Sequence, residues 1–140
     1  MNILIDTNVV LDVLLKREPF FKHSQLVLLL SEEEYINGYI SASAVTDIFY
    51  VTNKYLKNKD ATLAFLRNLT NTVAIAAVDS DIILDALDAR WNDFEDCVQY
   101  SVSESIDADY IVTRNPNDFV NSDIPAISPE KLLDIIAPQP

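Results

Sequence analysis

Short apolar segments alternate along the chain with longer segments whose apolar residues recur every three or four positions. The short segments are apolar on both faces, which predicts strands that are buried on both sides. These predicted strands cover residues 2–6, 39–41, 72–78, 108–113 and 125–127. The Asn37-Gly38 pair in front of the second strand predicts a turn.

The longer segments predict helices, most of which begin at a recognisable residue. The first helix begins at Thr7 or Asn8 and runs through Leu15, the second begins at Pro19, the fourth at Asp60, the fifth at Asp79 or Ser80, and the last at Ser128. Apolar residues at helical spacing predict the third helix, namely Val45, Ile48, Phe49 and Leu56, and residues 93–105 form the sixth.

The alternation of strands and helices predicts an α/β fold, with a mostly parallel central sheet between two helical layers. The length of 140 residues predicts one domain covering residues 1–140. In open parallel sheets, ligands bind at the carboxyl ends of the strands. Asp6 stands at the carboxyl end of the first predicted strand, so that end of the sheet is where chemistry is expected.

Composition restricts the class of protein. The apolar runs are far shorter than the roughly 18 residues that cross a bilayer, and the N-terminus lacks the features of a signal peptide. The single cysteine excludes a disulfide framework and a thiolate metal cluster. We therefore expect a soluble cytoplasmic protein with no membrane partner.

The net charge of −12 repels nucleic acid at long range. A role on nucleic acid would therefore need metal ions, a local basic patch, or both. The alternative is that the acidic surface only keeps the protein soluble.

Acidic and amide side chains fall near the predicted strand ends: Asp6, Asp47, Asp93, Asp96, Asn115 and Asp118. If the first and fourth strands are neighbours, Asp6, Asp96 and the loop of residues 115–118 converge. At about 5 Å and an effective dielectric near 20, each pair of carboxylates costs roughly 3 kcal/mol. Such a cluster binds a cation or becomes protonated, and oxygen ligands without cysteine favour Mg²⁺ or Mn²⁺.

Other functions have less support. Each of these acids could instead cap a helix or lie in solvent. The single histidine, His23, has no nucleophile motif near it, and a single glycine excludes a glycine-rich phosphate loop. A phosphoacceptor receiver domain also gathers acids at strand ends, but it needs a lysine directly after a late strand. Lys131, the nearest lysine, lies beyond Pro129.

Three segments resemble the PIN domain family, and in particular its VapC-like toxin ribonucleases. They are "ILIDTNVVLD", "ISASAVTDIFYV" and "DFEDCVQYSVSESIDADYIVTRNPNDF", and they span residues 3–119. The resemblance implies a sheet flanked by helices and a metal-dependent endoribonuclease that acts as the toxin of a toxin–antitoxin pair. A PIN-like domain that binds RNA or protein without cutting is the alternative.

The resemblance also implies roles for single residues. The family's first acid corresponds to Asp6 and its polar neighbour to Asn8. Its second acid, usually glutamate, corresponds to Asp47, and its third to Asp96, with Asp93 just upstream. Its fourth position is Asn115 here, and Asp118 can supply the charge in its place.

The resulting hypothesis makes Asp6, Asp47, Asp96 and Asn115 the catalytic residues of a Mg²⁺ or Mn²⁺ site. Asp6 and Asp96 hold the principal ion, while Asp47, Asp93 and Asp118 hold it through water or bind a second ion. Thr113 or Asn115 orients water or the scissile phosphate, and Asn8 also contacts the substrate. RNA phosphates are bound by cations, for which the candidates are Lys54, Lys57, Lys59 and Arg114. The expected protein partners are an antitoxin with a basic segment and a second copy of the chain.

Overall fold

A parallel β-sheet forms the centre of the computed structural model, which describes residues 1–137. Within these residues the sheet has five strands in the order β3-β2-β1-β4-β5, all parallel. The strands are β1 (Asn2–Ile5), β2 (Asn37–Ser41), β3 (Ala74–Ala76), β4 (Tyr110–Val112) and β5 (Ala126–Ile127). The predicted parallel sheet is confirmed, and the predicted domain boundary at residue 140 lies outside the described residues.

Helices connect the strands and cover both faces of the sheet. They are α1 (Thr7–Leu14), α2 (Phe21–Glu32), α3 (Ala42–Leu56), α4 (Lys59–Thr72), α5 (Ser80–Ala89), α6 (Phe94–Ser105) and α7 (Pro129–Ile136), with a short 3-10 helix over Pro116–Phe119. In residues 1–137 no helix is long and apolar enough to span a membrane.

The alternating side chains of β1 divide the core into two layers. Ile3 and Ile5 pack into a cluster with side chains of α1, α2, α3 and α7, while Leu4 packs into a second cluster with α5 and α6. All three residues are fully buried. The three-layer α/β/α architecture is therefore confirmed, and it follows from strands that are apolar on both faces.

The pairing of β1 with β4 brings together residues that are more than a hundred positions apart. Leu4 lies opposite Ile111 in this pair. The backbone N–H of Asp6 donates to the carbonyl of Val112 at 2.9 Å, so Asp6 lies directly beside Thr113. The first and fourth strands are therefore neighbours, which is the condition that the sequence analysis set for the acids to converge.

Two helix starts differ from the predicted ones because another side chain caps the helix. Asp6 itself caps α1, where Thr7 or Asn8 was predicted. Asn58 caps α4 by accepting from the N–H of Ala61, where Asp60 was predicted, and Asp60 lies in the first turn instead. Near-equivalent polar residues in sequence compete for a cap, and only the backbone path selects one.

Three further features differ from those predicted. α2 begins at Phe21 and not at Pro19, which precedes it in the loop. Gly38 lies within β2 and not in a turn, and a Cβ there would lie 2.5 Å from Ser31 Oγ, so the strand needs glycine for close packing. β3 is an edge strand, and its Ile75 is exposed although the sequence predicted a buried strand.

Candidate active site

Asp6 is the buried centre of a group of acids at the carboxyl edge of the sheet. Only 6% of the residue is exposed, because it sits between the end of β1 and the start of α1. Its Oδ1 accepts from the N–H of Thr7 and its Oδ2 accepts from Thr113 Oγ1, both at 2.8 Å. These two bonds fix the orientation of the carboxylate before any ligand binds.

Thr113 links Asp6 to the loop that follows β4. The side chain of Thr113 is buried, and its Oγ1 accepts from the N–H of Asn115 at 3.1 Å while it donates to Asp6. Both hydrogen-bonding capacities of this hydroxyl are therefore used inside the protein. Of the two residues predicted to orient water or phosphate, only Asn115 has an exposed side chain.

Burial and neighbouring charges act together on Asp6. Burial raises the pKa of its carboxyl, the bonds from Thr113 and Thr7 lower it, and repulsion from Asp118 and Asp93 raises it again. The net pKa is higher than that of an ordinary aspartate. Asp6 is therefore a carboxylate whose charge is costly in the absence of a cation.

Asp93 and Asp96 stand in the first turn of α6 and face this group. Asp93 caps the helix, and its Oδ1 accepts from the N–H of Asp96 at 2.9 Å. Burial and repulsion from Asp93, Asp6, Asp118 and Glu95 raise the pKa of Asp96 to about 7. Asp96 is thus close enough to Asp6 for the two charges to interact, which is consistent with the convergence expected from the sequence.

Glu95 joins the acidic group and was not among the residues predicted from the sequence. Burial raises the pKa of its carboxyl first, and repulsion from Asp47, Asp6 and Asp93 raises it further. Glu95 thus interacts both with Asp47, which is exposed on α3, and with Asp6 and Asp93. Glu95 is visible in the "DFED" segment, but its interaction with Asp47 on another helix arises only in the folded protein.

Asp118 approaches from the opposite side, on the 3-10 helix. The N–H of Asp118 donates to the carbonyl of Asn115 at 3.0 Å, which closes this turn. A cavity of about 270 Å³ separates the turn from α6, and Asp93, Asp96, Asn117 and Asp118 contribute to its lining. Asp93, Asp96 and Asp118 therefore lie around an open cleft, whereas Asp6 is buried beside them.

Asn8 and Arg114 are held on the other side of Asp6. Asn8 Oδ1 accepts from the N–H of Arg114 at 3.3 Å. The guanidinium of Arg114 lies 3.1 Å from Oδ1 of the fully buried Asp12 and 4.4 Å from the ring centre of Phe20. Arg114 is therefore already paired within the protein, and Asp12 and Phe20 were not named by sequence reasoning.

Gln99 is a further residue that the sequence did not predict. It lies on α6 one turn after Asp96, is 1% exposed, and its Nε2 donates to Thr7 Oγ1 at 3.4 Å. This contact ties α6 to the residue whose N–H orients Asp6. A glutamine on a helical face gives no sequence signal for such a role.

Lys54, Lys57 and Lys59 are not brought to the acidic group. Lys54 lies on α3 and Lys57 at the end of that helix, about 10 and 15 Å along the helix axis from Asp47. All three side chains are exposed. They flank the cleft at a distance, on the hairpin formed by α3 and α4.

The donor set suits Mg²⁺ or Mn²⁺, because the cleft offers carboxylate and amide oxygens and the only cysteine is buried elsewhere. In residues 1–137 no three acidic, cysteine or histidine side chains are grouped tightly enough to ligate one ion together. Mg²⁺ usually keeps several waters and takes one or two carboxylates from the protein. Asp96, which lines the cleft, and the neighbouring Asp6, with which it interacts, are the two carboxylates available to meet that requirement.

Comparisons with known proteins identify the fold. A family model for the PIN domain matches residues 2–117. A search of curated proteins found no match.

Solved structures similar to the chain include a toxin–antitoxin complex from Klebsiella pneumoniae, with 20% identity, a TM-score of 0.67, and coverage of 90% of this chain and 96% of that one. VapBC2 from Rickettsia felis, bound to a DNA fragment from its promoter, has 16% identity and a TM-score of 0.70, and the match covers 91% of this chain and 98% of that one. VapC20 from Mycobacterium tuberculosis, a toxin that cleaves the sarcin-ricin loop, has 14% identity and a TM-score of 0.63, and the match covers 78% of this chain and 86% of that one.

Proposed function

The chain belongs to the PIN domain family, and on that premise we propose that it is a Mg²⁺- or Mn²⁺-dependent endoribonuclease and the toxin of a toxin–antitoxin pair. The observation that carries the proposal is the group of acids around Asp6 and Asp96, where burial together with repulsion from the neighbouring acids raises the pKa of Asp96 to about 7. Structural proteins rarely retain such a costly group, whereas a cation site requires it.

Asp6 and Asp96 are the residues that would hold the principal ion. Thr7 and Thr113 keep Asp6 in place through its two oxygens, so the carboxylate does not reorganise when the ion binds. A divalent ion at this position lowers the pKa of a water molecule and stabilises charge on a phosphate during displacement. Asp47, Asp93 and Asp118 would act through water or with a second ion, and Glu95 belongs with them.

Asn115 is the residue that would orient the scissile phosphate or the attacking water. Asn115 is exposed directly before the 3-10 helix that lines the cleft, while its N–H donates to Thr113 Oγ1. Thr113 would act indirectly, by holding Asp6. Asn8 would position the backbone of Arg114. Because the guanidinium of Arg114 is paired with Asp12, Arg114 could contact RNA only through the part of the guanidinium that remains exposed.

Two alternatives differ in their support. A PIN domain that binds RNA without cutting remains the main rival, because Asn115 carries no charge where the family often has an acid. A phosphoacceptor receiver domain is not favoured, because Lys131 lies inside α7 and not directly after a strand.

The proposed protein partner is an antitoxin whose basic segment enters the acidic cleft. Several structurally similar proteins were solved as toxin–antitoxin complexes, which supports the proposal by analogy. An arginine in the cleft would pair with Asp6 or Asp96 and compete with the metal ion. A homodimer belongs to the same proposal and is supported by Leu84 and Leu87, which are exposed on α5; light scattering tests it.

An RNA cleavage assay tests the proposed activity. The purified protein should cut RNA in the presence of Mg²⁺ or Mn²⁺ and stop when EDTA is added. Asp96→Asn should abolish cutting, whereas the control Asp85→Asn, an exposed position on α5, should cut like the parent. RNA binding without cleavage in either metal would favour the non-cutting alternative, and cleavage that persists in EDTA would contradict the metal mechanism.

A further inference from the structure

The hairpin formed by α3 and α4 has the opposite charge to the rest of the molecule. We define the basic hairpin as residues 48–72, which follow Asp47 and end with α4. It contains four of the ten cations but only one of the 22 acids, a net charge of +3 against −15 for the remaining residues. The cations are Lys54, Lys57, Lys59 and Arg67.

These four cations are available to a ligand. All four side chains are exposed, and none belongs to the ion pairs formed within residues 1–137, which involve Arg17, His23 and Arg114. A cation whose charge has no partner in the protein is available to neutralise a phosphate.

An exposed aromatic side chain lies among them. Tyr50 is 71% exposed although it lies in the middle of α3. Phe49 packs against it edge to face, with 5.8 Å between ring centres and 80° between ring planes. This contact steadies the tyrosine ring and still leaves most of its surface in solvent.

The helical spacing connects this tyrosine to the candidate active site. Asp47, Tyr50 and Lys54 are three and four positions apart, so they form one stripe along α3. The stripe begins at Asp47, which interacts with Glu95 of the acidic group, and it continues toward Lys57 at the end of the helix. A strand leaving the cleft would therefore meet first an aromatic ring and then cations.

We propose that the basic hairpin binds single-stranded RNA on one flank of the cleavage position. Tyr50 stacks on an unpaired base, and Lys54 and Lys57 contact successive phosphates. This inference rests on the proposed ribonuclease function and adds the binding surface and the strandedness of its substrate. Aromatic rings beside a basic groove are the usual means of holding a single strand without reading its sequence.

RNA fits this surface better than a second copy of the chain does. The ligand must be anionic along a line, since the cations follow the stripe, and it must offer flat faces to Tyr50. A second copy also has a net negative charge, −12, but a protein surface does not present the regular series of phosphates and flat bases that a nucleic acid strand does. Duplex RNA presents phosphates but keeps its bases stacked on one another.

Binding measured without cleavage tests the proposal. The probe is a fluorescein-labelled single-stranded RNA of mixed sequence, and anisotropy is recorded on the Asp6→Asn protein in Mg²⁺ over a series of salt concentrations. Lys54→Gln with Lys57→Gln should weaken binding by about tenfold and reduce the slope of log K against log salt by about 1.4, since two phosphate contacts are lost. Lys22→Gln with Lys131→Gln is the matched control, because it removes the same charge from exposed positions on α2 and α7.

The stacking contact is tested with a matched pair of tyrosines. Tyr50→Leu should weaken binding to the single strand by about tenfold and leave the salt slope unchanged. Tyr35→Leu alters a tyrosine that is equally exposed, at 70%, and should change binding less than twofold. With a fully paired duplex as probe, Tyr50→Leu should have no effect.

The results also separate this inference from the proposed function. Cleavage by the metal-bound parent together with unchanged RNA binding in the hairpin variants would overturn the inference and keep the nuclease. Hairpin-dependent RNA binding without cleavage would do the reverse. If the hairpin lysine pair and the control lysine pair weaken RNA binding equally, the inference is overturned. It is also overturned if Tyr50→Leu dissociates a dimer and leaves RNA binding unchanged.

Discussion

Neutralising Asp96 should stabilise the protein in EDTA by an amount that grows as the pH rises from about 4 to 7. The pKa of Asp96 in the folded protein is about 7, whereas its ordinary value is 3.8. Between these two values the folded state binds more protons than the unfolded state, so stability decreases as the pH rises from about 4 to 7. Asp96→Asn removes this group from the titration.

The size of the effect follows from that difference in pKa. The full difference corresponds to at most ~4 kcal/mol, and because Asp96 is partly exposed, screening by water reduces the expected gain to about 1–2 kcal/mol at pH 8. For a domain of this size that gain raises the melting temperature by roughly 3–6 °C. At pH 4, where the carboxyl of the parent is already protonated, the two proteins should melt together.

Scanning fluorimetry in EDTA at pH 4, 6 and 8 measures this difference. Asp85→Asn is the control, because it removes one exposed carboxylate from α5 and should change the melting temperature little at any of these pH values. A variant that is less stable than the parent at pH 8, or a gain that is the same at all three pH values, would refute the reasoning that repulsion in the cleft raises the pKa of Asp96.

Three further results are expected. Mn²⁺ should raise the melting temperature of the parent at pH 7.5, because it binds the folded cleft and not the open chain, and Asp6→Asn should lose most of this rise; an undiminished rise would move the site elsewhere. Asp12→Ala should lower the free energy of unfolding in urea by about 2–3 kcal/mol, because it leaves Arg114 without its buried partner, and a loss below about 0.5 kcal/mol would contradict that role. Association with the antitoxin encoded beside this protein should slow as salt increases, because the acidic cleft attracts a basic segment. Stopped-flow measurements at low and high salt test this, and a rate that does not depend on salt would exclude this mode of inhibition.

The fold could be predicted from the sequence because its strands and helices differ clearly in pattern. Apolar strands between helices with polar starts imply a covered parallel sheet, and the position of Asp6 at a strand end follows directly. Strand order does not follow from such a pattern. β3 has the composition of a buried strand, but it lies at the edge of the sheet and exposes Ile75.

The candidate site was predictable only where a residue type is costly. Asp6 and Asp96 stand out because carboxylates near strand ends need an explanation. Gln99 and Asp12 act through tertiary contacts, with Thr7 and with Arg114, which no local spacing reveals. Glu95 was missed because its partner Asp47 lies on another helix, and only the packed structure brings the two together.

The most direct test of the central claim, that the acidic cleft is a metal-dependent active site, is a crystal structure grown with Mn²⁺ and measured at a wavelength where manganese scatters anomalously. The account predicts an anomalous peak in contact with carboxylate oxygens of both Asp6 and Asp96. A cleft without a peak, in crystals of protein that cuts RNA in the same Mn²⁺ solution, would contradict it.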